Sequence, residues 1–266
     1  MRMDCFVTAA GLAALVLSPG WAGAQQARPN AGEPPAAASR PSPPGPYRQV
    51  AVALPKAYGD PGLDALRHEI GEIAKRKDRA ALTSKVVAKG FFWQREDSDG
   101  ADPKKPGIDN LAEAIGLDSA DGSGWLALEA YAIDPSAAAP PDMKNVVCSP
   151  AFPSFNENEM EQVGQATRTD PSDWSYPTGP GVAVHAKPDS SAPVVDKLGM
   201  YLVRILPDEN PPTANANWIK VVSAAGKVGY VSGDQLAPLG SDQICYTKEG
   251  GGWRIAGYIG GGGGQE

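Results

Sequence analysis

The chain has 266 residues, 31 acidic against 24 basic side chains, a formal net charge of −7 and 42% apolar residues. That length holds one large domain or two small ones, and the apolar content allows a packed core. The acidic balance gives a nucleic acid or a polyanionic membrane surface no electrostatic hold, so neither is expected as a partner.

Residues 1–24 read as a signal peptide. Arg2 is its basic start, Phe6 to Leu17 is an apolar run too short to span a bilayer, and Ala22-Gly23-Ala24 is a small-residue cleavage pattern. Cys5 precedes the apolar run, which argues against a lipoprotein attachment site. The mature chain is then exported, periplasmic or secreted, starts at Gln25 and has no transmembrane span. It keeps Cys148 and Cys245, an even pair in an oxidising compartment, which predicts a disulfide; two buried free thiols are the alternative. No metal is expected on this pair, since neither cysteine has a second Cys or a His nearby.

Residues 25–46 are rich in Pro and Ala and carry almost no large apolar side chain, so they are expected to be a disordered linker. Residues 47–170 read as a helix-rich module. Asp60 and Pro61 are N-cap and first helical position, and Leu63, Leu66, Ile70 and Ile73 recur at helical spacing. Lys75, Arg76 and Lys77 fall in the last turn, where they suit the helix dipole. Asp78 restarts a second helix, Phe91-Phe92-Trp93 is an aromatic plug, and Asp109 is expected to cap a third helix. The acidic run Glu96 to Asp102 fails as a calcium loop, because Asp102 stands where Gly is needed and Ile108 where Glu is needed. Two opening helices followed by an aromatic strand resemble the cone-shaped α+β fold of nuclear transport factor relatives, and no active-site residue carries over.

Residues 178–240 alternate short β-prone runs with turn clusters. Val182–His185, Val194–Leu198, Met200–Leu206, Trp218–Val222 and Lys227–Ser232 are the expected strands, with a hairpin turn at Ala225-Gly226. Five short strands at this spacing predict a small antiparallel barrel. Residues 241–259, with Cys245 on the first strand, predict an added hairpin, and residues 260–266 a Gly-rich tail.

The Val182 to Leu236 stretch resembles the bacterial SH3-like (SH3b) domains of cell-envelope proteins. Val182-Ala183-Val184-His185 stands where that family opens with V-x-V-R, with His185 in place of the usual Arg. Trp218-Ile219-Lys220-Val221 matches its W-x-K-V strand, Gly226 to Val231 its G-x-x-G-[WY]-V signature, and Asp234-Gln235-Leu236 its closing turn. The fold class expected is therefore α+β: a small helix-rich N-terminal module plus a C-terminal SH3-like antiparallel β-barrel with an added hairpin. A Cys148–Cys245 bridge would staple that hairpin to the helical module.

The resemblance implies a non-catalytic binding or scaffold protein whose partner is peptidoglycan or an envelope protein. Candidate ligand-binding residues are Tyr201, Trp218 and Tyr230; the bland alternative is that each fills the barrel core. No catalytic constellation stands out and no cofactor is expected. Only His68 and His185 are present, too few for a zinc amidase. A peptidoglycan-modifying hydrolase remains as the alternative, drawing on carboxylates such as Glu69, Glu72, Glu96 and Asp97.

Overall fold

Asp60 starts the first long helix. Its Oδ1 accepts from the Gly62 and Leu63 amides at 2.9 and 3.1 Å, and Pro61, which has no amide hydrogen to satisfy, takes the next position. The helix ends at Lys77, whose left-handed backbone returns its N–H to the last turn. The computed structural model describes residues 42–95, 99–207 and 217–260. Residues 1–24, expected to be a signal peptide, residues 25–41 of the expected linker and residues 261–266 of the expected tail lie outside them.

In chain order the first half contains β1 (Val52–Ala53), α1 (Pro61–Arg76), α2 (Arg79–Thr83), β2 (Phe92–Gln94), α3 (Gly107–Ile115), α4 (Ser123–Ile133), β3 (Val146–Ser149), β4 (Ser154–Phe155) and α5 (Glu157–Thr167). Strands dominate the rest: β5 (Trp174–Pro177), β6 (Val182–His185), β7 (Val194–Leu198), β8 (Val203–Ile205), β9 (Trp218–Val222), β10 (Val228–Ser232), β11 (Leu236–Pro238), β12 (Gln243–Glu249) and β13 (Gly252–Ile259). The protein is thus mixed α+β. Asp109 does not cap α3; Pro106 holds that position, and Asp109 sits in the first turn bonded to Arg79 at 2.7 Å.

Two larger sheets, beside a two-stranded pairing of β1 with β4, organise these elements. The first has four strands in the order β2-β13-β12-β3. Ile244 and Tyr246 of β12 and Ile255 and Tyr258 of β13 are buried with Leu63 and Ile70 of α1 and Leu111 of α3 in one core. This corrects the expectation of a hairpin added to a barrel. Residues 241–259 are the two central strands of the sheet on which the helices pack, because their apolar side chains are what the helices bury.

The second sheet has seven strands, order β11-β5-β8-β9-β10-β6-β7, with every neighbouring pair antiparallel. Among the described residues its end strands β11 and β7 do not pair with each other, so the sheet does not close into a barrel. Strand β5 comes from upstream of the expected 178–240 block and inserts between β8 and β11. One face buries Val182, Val184, Val221 and Val231. The opposite face is covered over its β5 and β8 end by a separate core of Val50, Val52, Met160, Val163 and Trp174.

That second core redraws the expected 47–170 module. Residues 42–54 and α5 belong with the seven-stranded sheet, not with α1 to α4. The linker also ends before residue 46: the Ser42 N–H donates to Thr167 O at 2.9 Å, and the Ser42 carbonyl accepts from Arg204 at 2.7 Å. Tyr47 then stands edge-on to Trp174, ring centroids 5.0 Å apart.

The Cys148 and Cys245 sulfurs lie at disulfide distance, 2.00 Å apart, on directly opposed positions of β3 and β12. Both Cys148 backbone groups bond Ala138, at 2.8 and 3.0 Å, so toward Cys245 the pair is a non-hydrogen-bonded one. Such pairs bring Cα atoms closest, here 4.0 Å. The link therefore joins neighbours within one sheet and does not staple one module to another. It encloses a segment of sequence separation 97 that contains all of the seven-stranded sheet.

Opening a bridge that spans so long a segment is expected to cost about 4–5 kcal/mol on the chain-entropy scale. Denaturant unfolding with and without reductant measures this, and no shift in midpoint would show the two sulfurs to be free thiols. A second prediction concerns Asp60. The Lys248 ammonium first, then the Leu63 amide, hold its carboxyl down at about 2 from an ordinary 3.8. A depressed folded-state value stabilises above the unfolded value and is lost as pH falls through the folded one. Asp60→Asn keeps a capping oxygen but removes the charge. Its melting temperature is expected to fall below wild type at neutral pH, with the gap closing between pH 3.8 and about 2; a gap unchanged at acid pH would refute this.

Candidate functional site

Side-chain parity on β9 and β10 decides which aromatics are available. Val221 and Val231 point into the core, so their neighbours point out. Trp218 pairs with Ser232 and Lys220 with Tyr230, and Tyr230 is also opposite His185 of β6. Directly opposed residues share a face, so Trp218, Lys220, Tyr230 and His185 form one half-buried group on the outer face. The His185 and Trp218 rings meet edge to face at 5.5 Å and 83°, a favoured aromatic arrangement.

Glycines set this geometry at two points. Gly226 has φ +81°, which the tight turn between β9 and β10 requires. At Gly229 a side chain is impossible: a Cβ there would lie 2.6 Å from the His185 carbonyl oxygen and from Val184 Cγ1. The absent side chain lets β6 close on β10, and so places His185 against Tyr230.

Beside this group is a cleft of about 560 Å³ lined by His185, Trp218, Ser190, Ser232, Asp234 and the Thr178 to Ala183 segment. The Ser232 hydroxyl donates to Asp234 Oδ1. His185 Nδ1 is 2.9 Å from the Ala192 carbonyl oxygen. A carbonyl only accepts, so Nδ1 carries the proton and Nε2 is the ring nitrogen left for a ligand. On the cleft's loop, the Ser191 amide and hydroxyl hold the Asp189 carboxyl below its usual range. The site thus offers an aromatic wall, a hydroxyl, a carboxylate and an imidazole to a polar ligand.

Among the described residues, the outer face is open only on this half. Over the other half, Trp174, Arg204 and Val222 stand opposite one another on β5, β8 and β9, and all three are buried. Residues 42–47 and α5 provide the cover. The Tyr47 hydroxyl reaches the Leu202 and Val222 carbonyls at 3.2 and 3.1 Å, and burial pushes that phenol well above its ordinary range.

Of the three aromatics expected to bind a ligand, the structure brings Trp218 and Tyr230 together and leaves Tyr201 apart. Tyr201 packs against the inner core, its ring lying over Gly199 and its backbone bridging Ala51. It sits outside the regular β8 strand, so alternation along Met200–Leu206 did not fix its side. His185, Ser190 and the Thr178 to Gly181 turn were not proposed from sequence. The alternation of Val182 and Val184 against Ala183 and His185 was the available signal for His185.

Two of the carboxylates considered for hydrolysis, Glu69 and Glu72, are engaged otherwise. Glu69 pairs with Lys85, and Glu72 with Lys75 at 2.8 Å, which holds the Glu72 carboxyl below its usual range. A general acid needs the opposite shift. Glu96 and Asp97 lie outside the described residues. The Asp99 carboxylate accepts the Trp93 and Ala101 amides at 3.2 and 2.9 Å. Among the described residues no three His, Cys, Asp or Glu side chains gather as a metal-binding group, and no helix is long and apolar enough to cross a membrane. Comparison of the chain with protein-family models, with curated proteins and with solved structures finds no match.

If Trp218 faces outward, truncating it should leave the fold intact. Trp218→Ala is expected to change unfolding free energy by no more than about 1 kcal/mol, whereas Leu198→Ala, fully buried on the same sheet, should cost about 2–5 kcal/mol. Equal losses for the two variants would make Trp218 a core residue.

Proposed function

We propose that this chain is an exported, non-catalytic binding protein of the cell wall. Its ligand is peptidoglycan or a wall-associated protein, held on the open half of the seven-stranded sheet through an SH3-like domain. The observation that carries the reading is the His185, Trp218 and Tyr230 group on one uncovered face beside a polar cleft. Sugar rings and peptide planes stack on such aromatics, while hydroxyl, carboxylate and imidazole groups orient them. The sequence resemblance falls on the same strands. Its Trp and Tyr positions are Trp218 and Tyr230, and its two signature glycines are Gly226 and Gly229.

Export is supported by the N-terminal residues 1–24 and by the cysteine pair, which persists in an oxidising compartment. The hydrolase reading has less support, because Glu69 and Glu72 are each occupied by a lysine.

Sedimentation of the mature chain with purified peptidoglycan sacculi tests the proposal. Wild type is expected to be retained, Trp218→Ala and Tyr230→Ala to lose most of that retention, and Tyr201→Ala to keep it. An unretained wild type would remove peptidoglycan as ligand, and release of soluble muropeptides would make the protein a hydrolase.

A further inference from the structure

A second concavity lies on the far side of the covered half of the sheet, along α5. Phe155, Met160 and Leu239 give it an apolar lining, which we call its floor, and the volume is about 530 Å³, within the usual range for ligand pockets. Met160 is only 6% exposed and belongs to the core under α5, so the floor is anchored and does not depend on a loose side chain. Gly164 leaves the middle of the helix wall without a side chain.

The wall is acidic. Glu157 and Glu161 stand one turn apart on α5 and both line the trough. Their neighbour Glu159 is bound to Arg48 at 2.7 Å, but among the described residues neither Glu157 nor Glu161 forms an ion pair. Glu157 suits the positive end of the helix, which accounts for its presence there. Glu161 lies beyond the first turn, and the dipole does not account for it; its described partner is the neutral Gln165 amide at 3.1 Å. An apolar floor beneath two carboxylates is complementary to a segment that carries apolar and cationic side chains on one face.

We infer that this trough is a docking site for a cationic, amphipathic peptide segment of a partner protein. Apolar side chains sit on Phe155, Met160 and Leu239, and a Lys or Arg reaches Glu157 and Glu161. The site is separate from the aromatic face, and the inference does not rest on wall binding.

Fluorescence anisotropy of labelled probe peptides with the mature chain tests it. The probes are a short amphipathic Leu/Lys peptide, the same pattern as Leu/Glu, and a Ser/Lys version. The Leu/Lys probe is expected to bind and the other two to bind at least about tenfold more weakly. The double variant Glu157→Lys, Glu161→Lys should weaken Leu/Lys binding by about tenfold or more. The double variant Glu129→Lys, Asp142→Lys, which makes the same change in net charge on α4 and its following loop, should alter it less than about twofold. Equal weakening by both variants would reduce the effect to net charge and overturn the site. So would a Ser/Lys probe that binds as tightly, a Leu/Glu probe that binds as well, or no binding by the Leu/Lys probe. Circular dichroism of both double variants confirms that each is folded before binding is compared.

Discussion

The pairing of β3 with β12 is the constraint on which the rest depends. Ser149 lies opposite Ile244, and Cys148 opposite Cys245. The chain leaves the four-stranded sheet at Ser149, builds the whole seven-stranded sheet, and returns to the adjoining strand. Fixing those two exits side by side is what allows one sheet to be inserted into another. The exits are held by more than sulfur. The Gln243 amide donates to the Pro150 carbonyl at 2.6 Å, and the Ser149 hydroxyl donates to the Ser136 carbonyl at 2.7 Å. Gln243, Ser149 and Ser136 are buried and their polar groups are satisfied, which a junction of this kind needs in order to be stable.

Covering the outer face of the inserted sheet unevenly is what leaves a site. Met160 and Val163 of α5 and the Tyr47 ring fill the β5 and β8 end. Tyr47 and Val50, just past the expected linker, thereby act as part of the core. Arg204 shows how complete that cover is: its side chain is 3% exposed, with a Ser42 carbonyl as acceptor. Among the described residues, the His185, Trp218 and Tyr230 end receives no such cover, and the difference follows from where residues 42–54 and α5 enter the fold.

Much of this was legible in the residues. Asp60-Pro61 marks the start of α1, and five short β-prone runs mark β6 to β10, although which of their faces is the inner one stays open in the sequence. The failures have particular causes. Trp174 to Pro177 is only four residues, too short for its alternation to stand out, and it ends on a proline, which argues against a strand. The placement of the last hairpin depends on β3, distant in sequence, and on a parallel pairing of β13 with β2; neither leaves a local signal. Tyr201 stands apart because its backbone partner is Ala51, a pairing outside the regular β8 strand. Trp218 and Tyr230 fell on the open face because strand parity is a local property, whereas what covers the face is not.

The inserted arrangement also has a mechanical side. A pull on the outer aromatic face is carried into the four-stranded sheet and its helices through three chain crossings, one between residues 54 and 60 and two at neighbouring points, Ser149 and Gln243. Without a cross-link, tension there would peel β12 from β3 one backbone pair at a time, the weakest way to load a sheet. The sulfur bridge sits one residue behind the crossing on β3 and two behind the one on β12. Peeling stops there, and the load on those two crossings passes to covalent bonds before it reaches the helical core.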